Sequence, residues 1–271
     1  MNRNRALSAL AGLCIAAALP PWGWWPLGLV GLGLWFHLLE GATARTRFRR
    51  SVAVGAFWAF PSTLWMFDLT PAGWPVAAGL FTLLVALAGW ATPSEGPRRP
   101  LVFASAVVVA EVVRWHVPFG GVPIATLAMA SVDTPWAIAA RFLGSPFLVF
   151  VTVFIAAGVR DAVVRRRVPW SPIGALCAAV FLGYLGGLGV DTVRTIDVVV
   201  VQGGGPQNTR ADTCENRSVF ERHVQATELI ADNEEVDLIL WPEDVVHPVD
   251  DAIPTPSRCT ADLLRADEAL G

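Results

Sequence analysis

Residues 136–167 read WAIAARFLGSPFLVFVTVFIAAGVRDAVVRRR, and this stretch decides what kind of protein the chain is. From Trp136 to Val159 only Arg141, Ser145 and Thr152 interrupt an apolar run. A helix over those residues is about 36 Å long, enough to cross a hydrocarbon core of about 30 Å. Arg160, Arg165, Arg166 and Arg167 then close it with the basic cluster that marks a cytoplasmic flank.

Working outward, six further apolar runs lie near 6–20, 25–39, 51–67, 75–91, 100–114 and 171–189, predicting about seven spans. The first two are short enough for a re-entrant hairpin, which leaves the parity of the rest unchanged. Arg3 and Arg5, then Arg45, Arg47, Arg49 and Arg50, then Arg98 and Arg99, then the cluster at 160–167 fall in alternate connections. The intervening loops 20–25, 68–74 and 115–134 carry no Arg. This asymmetry predicts a cytoplasmic N-terminus and an extracytoplasmic tail. Trp22, Trp24, Trp25, Trp74, Trp115 and Trp136 sit near the outer ends and read as an aromatic belt. MNRNR before an apolar run mimics a signal peptide, but the alternating spans behind it favour a retained first helix.

Composition agrees. The 271 residues are 54% hydrophobic and 16% charged, against about 25% charged in a soluble domain. Residues 1–190 hold 14 Arg and 6 acids, whereas 191–271 hold 6 Arg and 17 acids. The expected organisation is a transmembrane helical domain over 1–190 and an acidic extracytoplasmic domain over 191–271. There is no Lys. Cys14, Cys177, Cys214 and Cys259 have no metal-ligand spacing, so neither a metal nor a soluble cofactor is expected. Few ionisable groups lie inside the spans. Glu111 and Arg114, three apart near the outer end of the fifth, can pair on one helix face, as a structural ion pair or as a substrate contact. No charged midplane constellation argues for a channel or ion-coupled transporter.

The tail has another pattern. Residues 196–202, IDVVVVQ, read as a buried strand ended by Gly203, Gly204, Gly205 and Pro206. Ser218 and Glu221 read as a capping box for a helix over about 218–232. Residues 236–241, VDLILW, read as a second strand stopped by Pro242. Strand, helix, strand predicts a parallel pair with a right-handed crossover, and ligands of such units gather at the strand carboxyl ends. Glu243 stands at such an end, where a catalytic carboxylate or an exposed turn acid would be. Asp244, His247, Asp250 and Asp251 follow as a solvated loop. Gly203–Gly205 lack the spacing of a nucleotide cradle.

These residues together resemble the apolipoprotein N-acyltransferase family of the nitrilase (CN hydrolase) superfamily. The resemblance rests on Val201-Gln202-Gly203 with Pro206-Gln207, on Asn216-Arg217, His223 and Thr227, and on Asp237-Leu238 through Trp241-Pro242-Glu243. In the membrane part it rests on Pro20-Pro21-Trp22 through Trp25-Pro26-Leu27 and on Glu111-Val112-Val113-Arg114. It also rests on Val117 through Pro123, Leu127-Ala128, Asp133 and Pro135, most like the actinobacterial branch. Val122 and Ile124 depart from the aromatics usual in that loop, and Gly204 replaces an Asn.

The resemblance implies a polytopic α-helical membrane domain followed by the first part of an α-β-β-α sandwich. It implies transfer of a phospholipid acyl chain, through a thioester acyl-enzyme, to the N-terminal cysteine amine of a diacylated lipoprotein. The partners implied are the phospholipid donor and the lipoprotein acceptor, in a bacterial cell membrane, with no nucleic acid. Of the family's Glu-Lys-Cys triad, Glu243 matches the general base. No Lys is present, Cys259 lies only 16 residues beyond Glu243, and the family's last span has no counterpart, so a longer parent chain is expected. Glu111, Arg114 and Trp241 are the expected substrate contacts. The alternatives are a membrane-tethered amidase of the same superfamily and a non-catalytic membrane protein whose tail binds a partner.

Overall fold

The computed structural model describes residues 3–117, 121, 124–166, 170–188, 193–205, 214–230 and 236–242. It divides into two compact units, Met1–Val190 and Asp191–Gly271.

The described part of the first unit is helical. Its helices are α1 Arg3–Ala17, α2 Trp25–Leu39, α3 Ala44–Ser62, the single turn α4 Met66–Leu69, α5 Gly73–Ala91, α6 Arg99–His116, α7 Ala140–Arg165 and α8 Trp170–Leu185. Two 3₁₀ turns, Met129–Ser131 and Ala137–Ala139, precede α7. Two helical stretches, Gly73–Ala91 and Ala137–Arg165, are long and apolar enough to cross a membrane, while Trp25–Leu39 and Pro172–Leu185 are apolar but shorter. The bundle carries apolar side chains outside as well as inside, with Val76, Leu83 and Val109 exposed at 73%, 45% and 61%. A helical unit apolar on both faces is suited to lipid rather than water.

Local chemistry moves two boundaries. The arginines at 45–50 lie on α3, not in a loop, because Thr43 caps the helix: its Oγ1 accepts from the Thr46 N–H at 3.3 Å. The stretch 136–159 is not one straight helix. Leu143 and Gly144 leave helical geometry, Gly144 at φ +72°, ahead of Pro146, which has no N–H to continue the ladder.

The core of this unit is aromatic. Trp35, Phe36 and Phe103 are fully buried, with the Trp35 and Phe103 rings edge to face at 4.9 Å. Trp35 Nε1 donates to Ser51 Oγ at 2.8 Å, which fixes α2 against α3. α1 packs on α2 and α3, α3 on α5, and α6 and α8 on α7.

In the second unit, β1 Val198–Val200 pairs in parallel with β2 Leu238–Leu240, matching Val198 to Leu238 and Val200 to Leu240. The helix α9, Cys214–Glu228, lies between them in sequence. Both strands are shorter than the runs that suggested them. Ser218 lies inside α9 rather than at its cap, because the helix already begins at Cys214. The strand side chains are not covered: Val198, Val200, Leu238, Ile239 and Leu240 are 41–71% exposed.

Candidate functional site

Glu111 and Arg114 meet as their spacing predicts, but deeper than an interface pair. Their charged groups lie 2.9 Å apart with side chains only 5% and 6% exposed. Both Arg114 terminal nitrogens donate to the Ala125 carbonyl at 3.2 Å, and the Leu127 N–H donates to Glu111 Oε2 at 3.1 Å. The pair therefore clamps the 124–127 segment, holding Ala125 in the left-handed region at φ +58°. That conformation costs a non-glycine residue about 1–2 kcal/mol, and several charge-assisted hydrogen bonds offset it. Arg114 also lies over the Phe81 ring, 4.9 Å from its centre. The pair closes one end of a slot lined by Trp35, Trp58, Phe81, Val85 and Val107. The slot holds only about 20 Å³, room for a water rather than an acyl chain.

The clamped segment continues into a buried polar spine. Ser131 Oγ donates to the Leu127 carbonyl at 2.7 Å and lies 3.0 Å from Thr152 Oγ1. Trp136 Nε1 donates to the same Thr152 oxygen at 2.8 Å. Trp136 is 5% exposed and stands edge to face with Trp25 at 5.6 Å. It is a core residue, not part of an interfacial belt, because its indole N–H finds a partner inside the bundle.

In the second unit, residues quoted separately from the sequence converge at the strand carboxyl ends. Gln202 follows β1 and Trp241 follows β2. His223, on α9 and 1% exposed, is held at both ring nitrogens: Nδ1 at 2.7 Å from the Val219 carbonyl and Nε2 at 2.9 Å from the Gln202 amide oxygen. Thr227 Oγ1 donates to the His223 carbonyl at 2.7 Å and accepts from Trp241 Nε1 at 3.0 Å. Trp241 also packs against the rings of His223 and Phe220, at 5.6 and 5.8 Å. Gly203 lets this happen, since a Cβ there would sit 2.6 Å from the His223 amide nitrogen. Trp241 is thus tied down by its own unit. Glu243, two residues on, lies outside the described residues, as do Asp244, His247, Asp250, Asp251 and Cys259.

Sequence reading missed one constellation. Arg99 and Arg160, taken as loop arginines, are 3% and 7% exposed and converge on Glu40 with His37. Arg99 donates to the Phe36 carbonyl and stacks on its ring at 3.7 Å, and Arg160 reaches His37 Nδ1 at 2.6 Å. Burial raises the Glu40 carboxyl pKa, but the hydrogen bond from Arg160 and the charges of Arg160, Arg99 and Arg165 outweigh it and hold the group below its ordinary value. No periodicity links positions 120 residues apart, so only the fold discloses this cluster. Among the described residues, no group of three His, Cys, Asp or Glu side chains is arranged to hold a metal ion.

Comparison with known proteins addresses the lineage. The family model for the apolipoprotein N-acyltransferase N-terminal domain matches residues 11–158. The chain is 28% identical over 266 residues to the apolipoprotein N-acyltransferase of Caulobacter vibrioides, covering 88% of this chain and 49% of that one. It is 23% identical over 274 residues to that of Photobacterium profundum, covering 92% and 51%. With the Allorhizobium ampelinum protein of the same name it shares 25% over 302 residues, covering 98% and 56%. The chain spans about half the length of the curated relatives it matches. With more than half its residues matched by the domain model, the chain belongs to the apolipoprotein N-acyltransferase family.

Proposed function

We propose that this chain carries the membrane part and the start of the catalytic domain of a lipoprotein N-acyltransferase. The reaction moves an acyl chain from a phospholipid ester to a cysteine thiolate, with C–S forming as the ester C–O bond breaks. It then moves the acyl chain from the thioester to the N-terminal amine of a diacylated lipoprotein, with C–N forming as C–S breaks. Glu243 is the general base that receives the thiol proton. The Lys that stabilises the oxyanion and the nucleophilic Cys belong downstream of Glu243 in the family pattern. Residues 1–190 form the transmembrane domain, with about seven spans and a cytoplasmic N-terminus. Residues 191–271 begin an extracytoplasmic nitrilase-like domain.

The observation that carries this reading is the Gln202–His223–Thr227–Trp241 network at the carboxyl ends of two parallel strands. It fixes the strand end two residues before Glu243, where α/β units of this kind hold their reacting groups. The exposed β1 and β2 side chains fit a sheet that further strands and helices cover, as in an α-β-β-α sandwich. Glu111 and Arg114 act on substrate through the 124–127 segment that they clamp.

The test is Glu243→Gln in the native gene product, in host membranes, with a diacylated lipopeptide acceptor. N-acylation is expected to fall at least 100-fold, the scale of general acid–base catalysis. Undiminished turnover removes Glu243 from the mechanism. Hydrolysis of a small amide by the wild type, with no acyl transfer, would favour the amidase reading instead.

A further inference from the structure

The geometry points to a second lipid site at the other end of the helical unit: a groove between the first turns of α1 and α3 that binds an anionic glycerophospholipid by its phosphate. The inference rests on the membrane-embedded reading of that unit. The groove holds about 580 Å³, within the range of small-molecule sites. Its polar mouth is lined by Arg5, Arg49 and Arg50 with Asn4, Ser8 and Thr46, and its apolar floor by Ala9, Ala53 and Phe57.

Three features make this an anion site rather than a solvated arginine face. First, no acidic side chain is among the described residues that line it, and neither Arg5 nor Arg49 has an ion-pair partner among the described residues. Arg50 is partly engaged, donating to the Leu38 carbonyl at 2.5 Å. Second, α1 and α3 start at this same end, and neither has an acid in its first turn. Two helix N-termini thus add their partial positive charge to three guanidiniums, uncompensated by a carboxylate. Third, the lining changes character with depth. Thr46 to Phe57 is eleven residues on α3, about 16 Å. Beyond the floor the helices meet at Gly12, where a Cβ would lie 2.8 Å from Phe57 Cβ, so the groove is closed below and charged above.

That order, cation at the mouth and apolar wall beneath, matches a phosphate ester attached to an acyl chain. A free phosphate, or a peptide of acidic side chains alone, has nothing to place against Ala53 and Phe57. Basic pockets between transmembrane helices are a recognised setting for anionic headgroups. The site lies away from the Glu111–Arg114 clamp, at the opposite end of α3, so it is separate from the proposed acyl-donor site.

The experiment uses the full chain in nanodiscs of mixed phosphatidylglycerol and phosphatidylcholine. Lipid retention is read by native mass spectrometry after extraction. The wild type is expected to retain phosphatidylglycerol over phosphatidylcholine, less so as salt rises. Arg5→Gln with Arg49→Gln lowers that preference roughly 30-fold, at about a fivefold loss for each arginine. Arg45→Gln, outside the groove, leaves it unchanged. Ala53→Trp fills the floor and weakens retention without altering charge. Elution profile and thermal unfolding of each variant check that it folds. Equal retention of both lipids by the wild type, or an unchanged preference in the double variant, overturns the proposal. Full displacement by inorganic phosphate overturns the lipid as occupant. A chain that does not enter nanodiscs fails the membrane reading itself, which is a different result.

Discussion

Arg114 illustrates what one residue does here. It neutralises Glu111 inside the bundle and ties the 124–127 segment to α6. Removing one partner of a buried pair leaves the other charge uncompensated, at a cost of about 3–5 kcal/mol. Arg114→Met is therefore expected to destabilise the helical unit by about 3 kcal/mol in detergent unfolding. Glu111→Gln combined with Arg114→Met should recover a large part of that loss. A double variant no more stable than the single would mean the ion pair is not what Arg114 supplies. The pair itself was legible, since three-residue spacing puts both groups on one helix face. Its partners were not: a carbonyl at 125 and an amide at 127 lie outside the helix, where periodicity encodes nothing. The same holds for His223. Its neighbours Gln202 and Trp241 were each singled out as motif residues, but their meeting depends on a parallel crossover and on the absence of a side chain at Gly203.

At the scale of elements, helix positions read well and helix ends did not. α2 and α5 start and stop within two residues of the expected runs. α3 and α9 begin seven and four residues earlier than expected, and for α3 the Thr43 cap sets the start. Packing between elements is likewise set by single atoms. A Cβ on Gly89 of α5 would run into Ser51 Oγ, the acceptor of the Trp35 indole N–H. Gly→Ala in a helix ordinarily gains about 1 kcal/mol. Here overpacking costs about 1–3 kcal/mol and removes a buried hydrogen bond. Gly89→Ala is thus expected to lower thermal stability, with altered Trp fluorescence, and a stabilised variant would contradict the packing of α3 on α5.

For the whole molecule, the arginine distribution is the basis of the proposed orientation. Labelling Cys214 in intact cells with a membrane-impermeant thiol reagent, after Cys14 and Cys177 are replaced by Ser and Cys259 by Ala, tests the proposed orientation. The label is expected from outside, and labelling only after the membrane is opened would reverse it. The charge asymmetry is likewise the basis of the proposed two-part organisation, because lipid and water select different residues. The Glu40–Arg99–Arg160 cluster stayed hidden for the same reason: arginines at span ends read as flanks, although long side chains can turn inward when a carboxylate and an aromatic ring receive them.

The most direct measurement is the fate of a phospholipid acyl chain. Host membranes bearing the native protein are given phospholipid with a deuterated acyl chain and a diacylated lipopeptide, and the lipopeptide is weighed by mass spectrometry. We predict a gain of one deuterated acyl group on its N-terminal amine, lost when the gene is deleted and restored when it is returned. An acceptor that gains the same mass with and without the gene would contradict the account.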